Sequence, residues 1–477
     1  MSNHTPISHN REHNKALLQE MLQHADDLII SEIHPHKQGA ATVCYLDGLS
    51  DPMKLEQMLL LLQKEEGMLA PFRQSQPIDT LEEAADLIAG GYAVLLYAHS
   101  GSGLAIHALG LQLRSVEEPT SESVLKGPRS GFTESLQNNI ALLRYHFSSP
   151  HLKVEFKKLG TLSRTNIAIL SVAGLTNPKL VKELHQRINE IQADTILGSN
   201  TIQEWITDNP YTMFPLTETT ERPDRVIGAL RDGRMAVVIQ GTPFAILLPF
   251  TFLQAFQVSE DYYWNYYVSS TIRLLRLMCG FLGMFLPAFY VATVTFHHEL
   301  LPTPLLQSIA SAKEPVPFPA VVESFAMMIA FEIMREAGVR MPRQVGQAVS
   351  IVGALILGQA AVQAGIVSPI MVIVAALTGI CTFTLPPTDI NYVIRILQFG
   401  MTLLASMLGY VGIMAGFIML ITYMSSLRSF GIPYLSPAAP FSFANLTDVI
   451  IRRPHPYDNK LPSLFRPLVK WRFRRQR

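Results

Sequence analysis

The sequence predicts a multi-domain membrane protein in which a soluble α/β N-terminal half, made of two small subdomains, precedes an α-helical transmembrane bundle. Its 477 residues exceed what one small core can organise. Up to about residue 265, charged and apolar residues are mixed as in soluble domains, whereas long apolar runs fill residues 272–427. Strand-like and helix-like patterns alternate in the first part, as is typical of α/β domains.

Composition excludes several classes of protein. Charged residues make up only 16% of the chain, with 38 basic against 38 acidic, so a basic nucleic-acid binder and a disordered acidic chain are not expected. The first residues lack the apolar core of a secretory signal, so the N-terminal half is expected in the cytoplasm. Cys44, Cys279 and Cys381 show no metal-binding or disulfide spacing and are expected to be buried thiols.

The first subdomain is predicted at residues 39–118, after a polar N-terminal segment, 1–38, that contains a helix around Lys15 to Ile30. The pattern predicts a strand at ATVCYLDGL, an amphipathic helix at LEQMLLLLQKE and a capped helix at TLEEAADLIAG. The runs GYAVLLYAH and GLAIHALGL are predicted as two strands joined by a turn at residues 101–103.

The second subdomain is predicted at residues 149–265, beyond a connector at 119–148 that is rich in Pro, Ser and Gly. Strands are predicted at HLKVEFKKLG and TNIAILSVAG, and helices at NPKLVKELHQRINEIQ, capped by Asn177, and at VIGALRDG. In RMAVVIQGTPFAILLPF, a Gly-Thr-Pro sequence separates two runs that are each too short to span ~30 Å of hydrocarbon. This segment is therefore predicted as a buried hairpin rather than a membrane helix.

The transmembrane domain is predicted at residues 266–430, with about four to six spans. The apolar run at residues 272–296 is long enough to be the first span. Arg273 and Arg276 stand near its start, where long basic side chains are expected to extend to the membrane surface.

Two further spans are predicted at residues 345–364 and 367–385. The apolar run that follows, from Tyr392 to Leu427, is too long for one untilted span. It is either one long tilted helix or two short helices bent near Gly409 and Gly412.

Residues 318–334 leave more than one reading open, because this apolar stretch contains Glu323 and Glu332. The stretch can span the membrane, re-enter it or lie in its interface. Carboxylates within a membrane often mark ion pathways, but these two can equally pair with Arg335 or Arg340.

Basic residues near the ends of the spans predict the orientation. They place the soluble half and the basic C-terminal tail, residues 431–477, in the cytoplasm. With both ends inside, the number of crossings is even; six crossings satisfy every basic cluster, whereas four place one cluster on the wrong side. The residues concerned are Arg273, Arg276, Arg335, Arg340, Arg343, Arg428 and the final KWRFRRQR.

Known catalytic and metal-binding motifs are missing from the sequence. The GSGL at residues 101–104 lacks the Gly-Lys-Ser/Thr of a phosphate-binding loop, and the His-His-Glu at 297–299 lacks H-E-x-x-H spacing. Neither GxSxG nor a known Cys/His pair is present. No enzyme activity, cofactor or metal is therefore expected.

The helix predicted at residues 345–364 is rich in small residues and carries amides at membrane depth, which must find partners or water. At ~100° per residue, two amides, Gln359 and Gln363, fall on one face. The opposite stripe contains Gln347, Ser350, Ala354, Gly358, Ala361, Val362 and Gly365. One face could line a pore, and ordinary helix packing in a bundle is the alternative.

Several long motifs resemble the A subunits of the GerA family of spore germination receptors. They cover about residues 115–455 and include EEPTSESVLKGPRSGFTESLQNNIALLR, TERPDRVIGALRDGRMAVVIQGTPFAILLPF, SEDYYWNYYVSSTIRLLR, HHELLPTPLLQSIASAKEPVPFP, EIMREAGVRMPRQVGQAVSIVGALILGQAAVQAGIVSP and LRSFGIPYLSPAAPF. The related SpoVAF-like proteins share most of these motifs.

The resemblance implies a protein of the spore inner membrane that assembles with a transporter-like B subunit and a lipoprotein C subunit. It also implies a homo-oligomeric ring around a cation channel that opens when nutrient binds and releases monovalent cations. The alternatives are a SpoVAF-like accessory channel that amplifies germination and a transporter component, although no inverted repeat is visible. The implied pore-lining candidates are Gln347, Ser350, Ala354, Gly358, Val362 and Gln363, with Glu323 and Glu332 as further pathway residues.

Overall fold

The structure of the protein is a computed structural model that describes most of the chain. The described residues are 5–33, 41–57, 75–97, 101–110, 119, 121–122, 124–341, 353, 358–386, 389–442 and 449–472.

The first α/β unit is an antiparallel sheet against which two helices pack, with strand order β1-β2-β4-β5-β3. Strands β4 and β5 pair as the sequence predicted, and the Thr80 side chain caps α2 by accepting a hydrogen bond from the Glu83 amide. Its described elements are α1 (Arg11–Met21), β1 (Leu28–Ile33), β2 (Ala41–Leu46), β3 (Ser75–Ile78), α2 (Leu81–Ala89), β4 (Tyr92–Tyr97) and β5 (Gly103–His107).

The helix predicted around Lys15 to Ile30 is placed wrongly. The helix begins earlier and ends at Met21, because Gln23 and His24 adopt positive φ angles of 60° and 49° that an α-helix cannot continue through. The following apolar residues form the edge strand β1, which pairs antiparallel with β2. A tertiary partner thus overrides the local helical pattern.

The second α/β unit has an antiparallel sheet of order β6-β7-β9-β10-β8 with helices on both faces. Every residue of β9 and β10 is buried, and Ile246 pairs with Val237, so the predicted buried hairpin is confirmed. Its described elements are α3 (Leu136–His146), β6 (Leu152–Leu159), β7 (Thr165–Val172), α4 (Pro178–Asn189), α5 (Ser199–Ile206), β8 (Glu218–Thr220), α6 (Pro223–Arg231), β9 (Met235–Ile239) and β10 (Ala245–Leu248).

A buried ion pair joins the two α/β units. The guanidinium of Arg144, on α3, donates to both carboxylate oxygens of Asp27 at 2.9 and 2.8 Å. Both side chains are almost completely buried, and the Asp26 amide beside them donates to the Val154 carbonyl. This two-point pairing fixes geometry as well as charge, so the units are held in a defined arrangement.

The helical half follows the second unit directly. Its described helices are α7 (Tyr266–Thr295), α8 (Thr303–Lys313), α9 (Ala320–Arg340), α10 (Pro369–Thr384) and α11 (Ile390–Ser426). Among the described residues, α7 and α11 are long and apolar enough to cross a membrane, judged by length and composition, and α10 is a shorter apolar helix. The ambiguous stretch at 318–334 lies mostly within the continuous helix α9, and α8 was not predicted.

The long helix α11 reverses direction at Gly409, whose φ of 61° and ψ of −139° are not helical. A Cβ atom at Gly416 would lie 2.8 Å from the Met401 sulfur, and one at Gly412 would lie 2.2 Å from the Leu404 carbonyl oxygen. In a straight helix, residues 401 and 416 would be ~22 Å apart. The chain therefore folds back into two antiparallel arms, residues 390–408 and 410–426, which confirms the reading of two short helices.

The end of α7 packs against this reversal. The rings of His297 and Tyr410 stack with their centroids 5.0 Å apart, and the Tyr410 amide donates to His297 Nε2 at 3.4 Å. The Tyr410 hydroxyl also lies 2.6 Å from the Thr293 hydroxyl. His297, for which the sequence indicated no metal-binding motif, thus packs against the turn of the hairpin.

The C-terminal residues return to the second α/β unit instead of forming a separate tail. Short strands β11 (Arg428–Ser429) and β12 (Ile432–Pro433) follow α11. Phe430 and Phe465 lie in the core on one face of the second sheet, and Leu461 lies in the core on the other face. The apolar residues of this segment are scattered singly between prolines and basic residues, so no periodic pattern signalled their burial.

Candidate ion pathway and domain junction

Residues 358–363 are helical and expose the amide face of the predicted pore helix. Gln359, Ala360 and Gln363 are exposed, and Ala361 packs against the apolar cluster around Tyr290. A side chain can line a passage between copies of a protein only if a single copy leaves it uncovered. The described part of this helix therefore leaves Gln359 and Gln363 uncovered in the single copy.

Of the described residues proposed to line the pore, one packs inside the chain and two remain accessible from outside. Gly358 is buried, and a Cβ there would lie 3.4 Å from the Val372 side chain of α10. Val362 is half-buried at the edge of the exposed face. Gly358 thus lies against another helix of the same chain, whereas Val362 and Gln363 remain accessible from outside. The candidates Gln347, Ser350 and Ala354 lie outside the described residues.

Glu323 is a fully buried carboxylate at the start of α9. One of its oxygens accepts a hydrogen bond from the Ser368 amide at 2.8 Å, and the other lies 3.5 Å from Lys313 Nζ. Ser368 is the N-terminal cap of α10, where the helix dipole favours negative charge. Its hydroxyl also lies 3.3 Å from the Tyr290 hydroxyl. Glu323 therefore joins α7, α8, α9 and α10 from within, and it faces no open passage among the described residues.

Glu332 pairs with two arginines near the other end of α9. Arg395 donates to its carboxylate at 2.8 Å, and Arg335 forms a close hydrogen bond to the same oxygen. Pairing with Arg335 was one of the predicted alternatives, whereas Arg340 instead binds Glu336. Glu332 and its partners line a cavity of about 60 Å³ between α9, α10 and α11.

Arg395 is the partner that sequence reasoning missed. It is a buried guanidinium in the first arm of α11, and it lies over the Tyr392 ring at 4.3 Å from the centroid. A charged side chain inside an apolar run is costly without a partner. That cost is the sequence signal that could have linked Arg395 to Glu332.

The two arginines at the start of α7 do not extend to a membrane surface as predicted. Arg273 and Arg276 are buried and both donate to the Asp261 carboxylate, at distances from 2.8 to 3.2 Å. Arg276 also donates to the Phe256 carbonyl at 2.5 Å. Burial alone would raise the pKa of Asp261, but the hydrogen bonds and charges of the two arginines hold it below its usual value.

A cavity of about 360 Å³ lies beside this junction, between α6 and the residues that lead into α7. Two residues of its lining, Arg225 and Arg234, donate to the buried carboxylate of Glu218 behind them, at 2.5 and 2.8 Å. Burial opposes the charge on Glu218, but the two arginines lower its pKa. Burial and the nearby Asp224 raise the pKa of Tyr263, whose hydroxyl donates to Asp224, to about 12. The walls of the cavity are thus held by internal ion pairs.

Glu122, in the connector, is a carboxyl group that forms no ion pair with any described residue, although the charge of Arg225 acts to lower its pKa. Burial raises its pKa to about 7, and the carboxylate of Glu218 adds to the rise, although the Thr220 hydroxyl donates to it at 3.0 Å. Glu122 lines a small cavity together with Pro386, from the loop between α10 and α11. A change in its protonation would therefore change the charge in a cavity between the second α/β unit and the helical half.

Replacing Glu122 by glutamine should remove a pH dependence of stability. Because the folded state raises this pKa from 4.5 to about 7, the stability contributed by the protonated form is present below about pH 4.5 and is lost as the pH rises through about 7. Glu122→Gln keeps the neutral form, so the variant should match the wild type at low pH and exceed it above neutrality. Thermal unfolding of the detergent-solubilised protein across this range measures the difference. Glu204→Gln, at an exposed position of α5, should leave the profile unchanged.

The fold defines the class of the protein, which has two α/β units joined through buried arginines to a helical half with two apolar candidate spans. The model of the family described as Bacillus/Clostridium GerA spore germination protein matches residues 16–464. The chain belongs to this family.

Relatives of known sequence match most of the chain. Spore germination protein KA of Bacillus subtilis (strain 168) is 41% identical over 455 residues, which cover 92% of this chain and 84% of that protein. Spore germination protein A1 of the same organism is 33% identical, with coverage of 92% and 93%. Uncharacterized membrane protein YfkQ, also of Bacillus subtilis, is 46% identical over 371 residues, with coverage of 78% and 72%.

A comparison with solved structures also finds a match that covers about half of the chain. It is the crystal structure of the N-terminal domain of the A subunit of the Bacillus megaterium spore germinant receptor GerK3. The match has 24% identity and a TM-score of 0.42, and it covers 52% of this chain and 98% of the other.

Proposed function

We propose that this chain is the A subunit of a nutrient-responsive germination receptor in the spore inner membrane, and that its copies form a ring around a cation channel. The observation that carries the proposal is the exposed amide face of Gln359 and Gln363. Amides within an apolar bundle need partners or water, and a passage between copies would supply water. Membership of the germination family supports the physiological role.

Six crossings of the membrane are part of this proposal. The supporting contacts link the start of α9 to the start of α10, through Glu323 and Ser368, and the end of α9 to the start of α11, through Glu332 and Arg395. With the two arms of α11, these contacts favour a bundle in which α7, α9, the helix predicted at residues 345–364, α10 and both arms each cross once. The packing of Phe465 in the second α/β unit supports a C-terminus on the same side as that unit, proposed as the cytoplasm.

The proposed partners are a transporter-like B subunit, a lipoprotein C subunit and monovalent cations, and no catalytic step is proposed. The ring requires several copies in one particle. Mass measurement of the detergent-purified protein by light scattering tests this requirement, and a strict monomer under all mild detergents would argue against the channel.

Shortening Val362 should open the proposed channel without nutrient. Val362 lies half-buried at the edge of the amide face, where an apolar side chain can hold a narrow passage closed by excluding water. Val362→Ala, expressed with its partner subunits in spores, should raise cation release in the absence of nutrient. Time courses of potassium release and germination measure the effect.

Val372→Ala is the matched control, because Val372 lies against Gly358 inside the same chain. This control should lower protein level slightly through lost packing and leave basal release unchanged. The proposed pore lining would be contradicted if the Val362→Ala protein accumulated normally and neither its basal cation release nor its response to nutrient differed from the wild type. If both variants released cations equally without nutrient, the cause would instead be a general loss of packing in the helical bundle.

A further inference from the structure

The loop that precedes β8 carries two exposed apolar side chains beside the helical half. Tyr211 is 96% exposed and Met213 is 49% exposed, although both belong to the second α/β unit. Between them, Thr212 accepts a hydrogen bond of 3.0 Å from the hydroxyl of Tyr423, near the end of α11. This hydrogen bond fixes the position of the loop along the axis of α11.

The neighbouring surface of α11 is apolar and equally uncovered. Ile418 and Met419, about one turn before Tyr423, are 59% and 68% exposed. Phe214 anchors the loop from inside, with its ring 6.0 Å from that of Tyr423. Tyr211 and Met213 therefore continue the exposed apolar face of α11 onto the soluble unit.

A second group of this kind lies at the start of α7. Tyr267 and Ile451 are well exposed, and Ile451 is held there because the next residue, Arg452, donates its amide to Ser270 on α7. The start of α7 and the end of α11 meet the same unit, since Phe256 and Leu427 share one core cluster. Both groups therefore lie where a long apolar helix meets the second α/β unit.

From this juxtaposition we infer that the loop at residues 209–213 inserts into the headgroup layer of the lipid bilayer and anchors the second α/β unit to the membrane surface. Tyrosine prefers this layer because its ring is apolar and its hydroxyl remains hydrated. Methionine adapts to an irregular apolar boundary. The inference rests on the proposed crossing of the membrane by α7 and α11.

Fluorescence quenching in bilayers tests the anchor with the full-length protein. A cysteine-reactive bimane is attached to Tyr211→Cys, while Cys44, Cys279 and Cys381 are buried and label poorly. The protein is placed in nanodiscs of phosphatidylcholine and phosphatidylglycerol, with a nitroxide on the headgroup or deep in the acyl chain. The probe at 211 should lose most of its fluorescence to the headgroup nitroxide and little to the deep one.

Two further probes separate the possible results. Met414→Cys, at an exposed position in the second arm of α11, should be quenched by the deep nitroxide. Met53→Cys, exposed on the first α/β unit, should be quenched by neither. Quenching at 414 without quenching at 211 overturns the anchor and leaves the proposed span intact. Loss of quenching at both positions overturns the span as well.

A second copy of the chain is the competing occupant of this surface. Bifunctional crosslinking of Tyr211→Cys to itself, combined with an unquenched probe, would assign the loop to contacts between copies and overturn the lipid anchor.

Discussion

Replacing Gly412 by alanine is expected to prevent the two arms of α11 from packing and to abolish normal accumulation of the protein. A Cβ at this position would lie 2.2 Å from the carbonyl oxygen and 2.8 Å from the carbonyl carbon of Leu404. Both atoms belong to the backbone, so the contact cannot be relieved by a side-chain rotation. Helices in membranes associate through small residues that permit such close approach. The arms must separate, at a cost at the upper end of the ~1–3 kcal/mol typical of overpacking, or above it.

Two other glycines of the same helix provide matched controls for Gly412→Ala. At Gly416 the nearest atoms are side-chain ends of Leu404 and Met401, which can move, so Gly416→Ala should cost less. At Gly400 no atom of the described residues lies within 4 Å of the new Cβ. Gly400→Ala should therefore be neutral, or stabilise by up to about 1 kcal/mol through helix propensity.

Membrane-fraction immunoblots and fluorescence-detected melting in detergent rank these variants. The expected order of stability is Gly400→Ala, then Gly416→Ala, then Gly412→Ala. Wild-type melting of Gly412→Ala would mean that the arms do not pack at this point. The reversal at Gly409 would then have to be rejected in favour of one long tilted helix.

Local chemistry explains how much of the fold could be predicted. The β9–β10 hairpin was predictable because Gly241, Thr242 and Pro243 interrupt its apolar run, and the α4 helix because Asn177 and Pro178 begin it. The bend in α11 was predictable in position, since glycine alone tolerates the backbone angles that a reversal needs. The full reversal of the chain at this bend was not predictable, because it depends on contacts between residues of the two arms.

The features that were missed depend on partners far along the chain. Phe465 packs against residues of the second sheet more than 200 positions earlier, and Arg395 binds Glu332, 63 positions away. A single sequence without homologues does not report such pairs. For the proposed pathway, the sequence showed that the helix predicted at residues 345–364 carries amides, but it did not show which face of this helix packs against the bundle. The proximity of Gly358 to Val372 in the structure was needed to identify that face.

Replacing Asp261 by asparagine is expected to uncouple the second α/β unit from α7 and to destabilise the whole protein. Asp261 lies in the turn before α7 and is the carboxylate bound by both Arg273 and Arg276. All three side chains are almost fully buried, so removal of the negative charge leaves two cations in an apolar site. Loss of one partner from a buried ion pair costs about 3–5 kcal/mol.

The matched control for Asp261→Asn is Glu336→Gln, which breaks a pair with Arg340 on the exposed end of α9. Exposed pairs contribute only about 0–1 kcal/mol, so this variant should melt close to the wild type. A double variant, Asp261→Asn with Arg276→Gln, should lose less stability than the sum of its parts, because it removes one of the stranded charges together with the carboxylate. Strict additivity in this cycle would mean that Asp261 and Arg276 do not interact energetically. The junction between the soluble and helical halves would then have to depend on the apolar contacts around Phe256 instead.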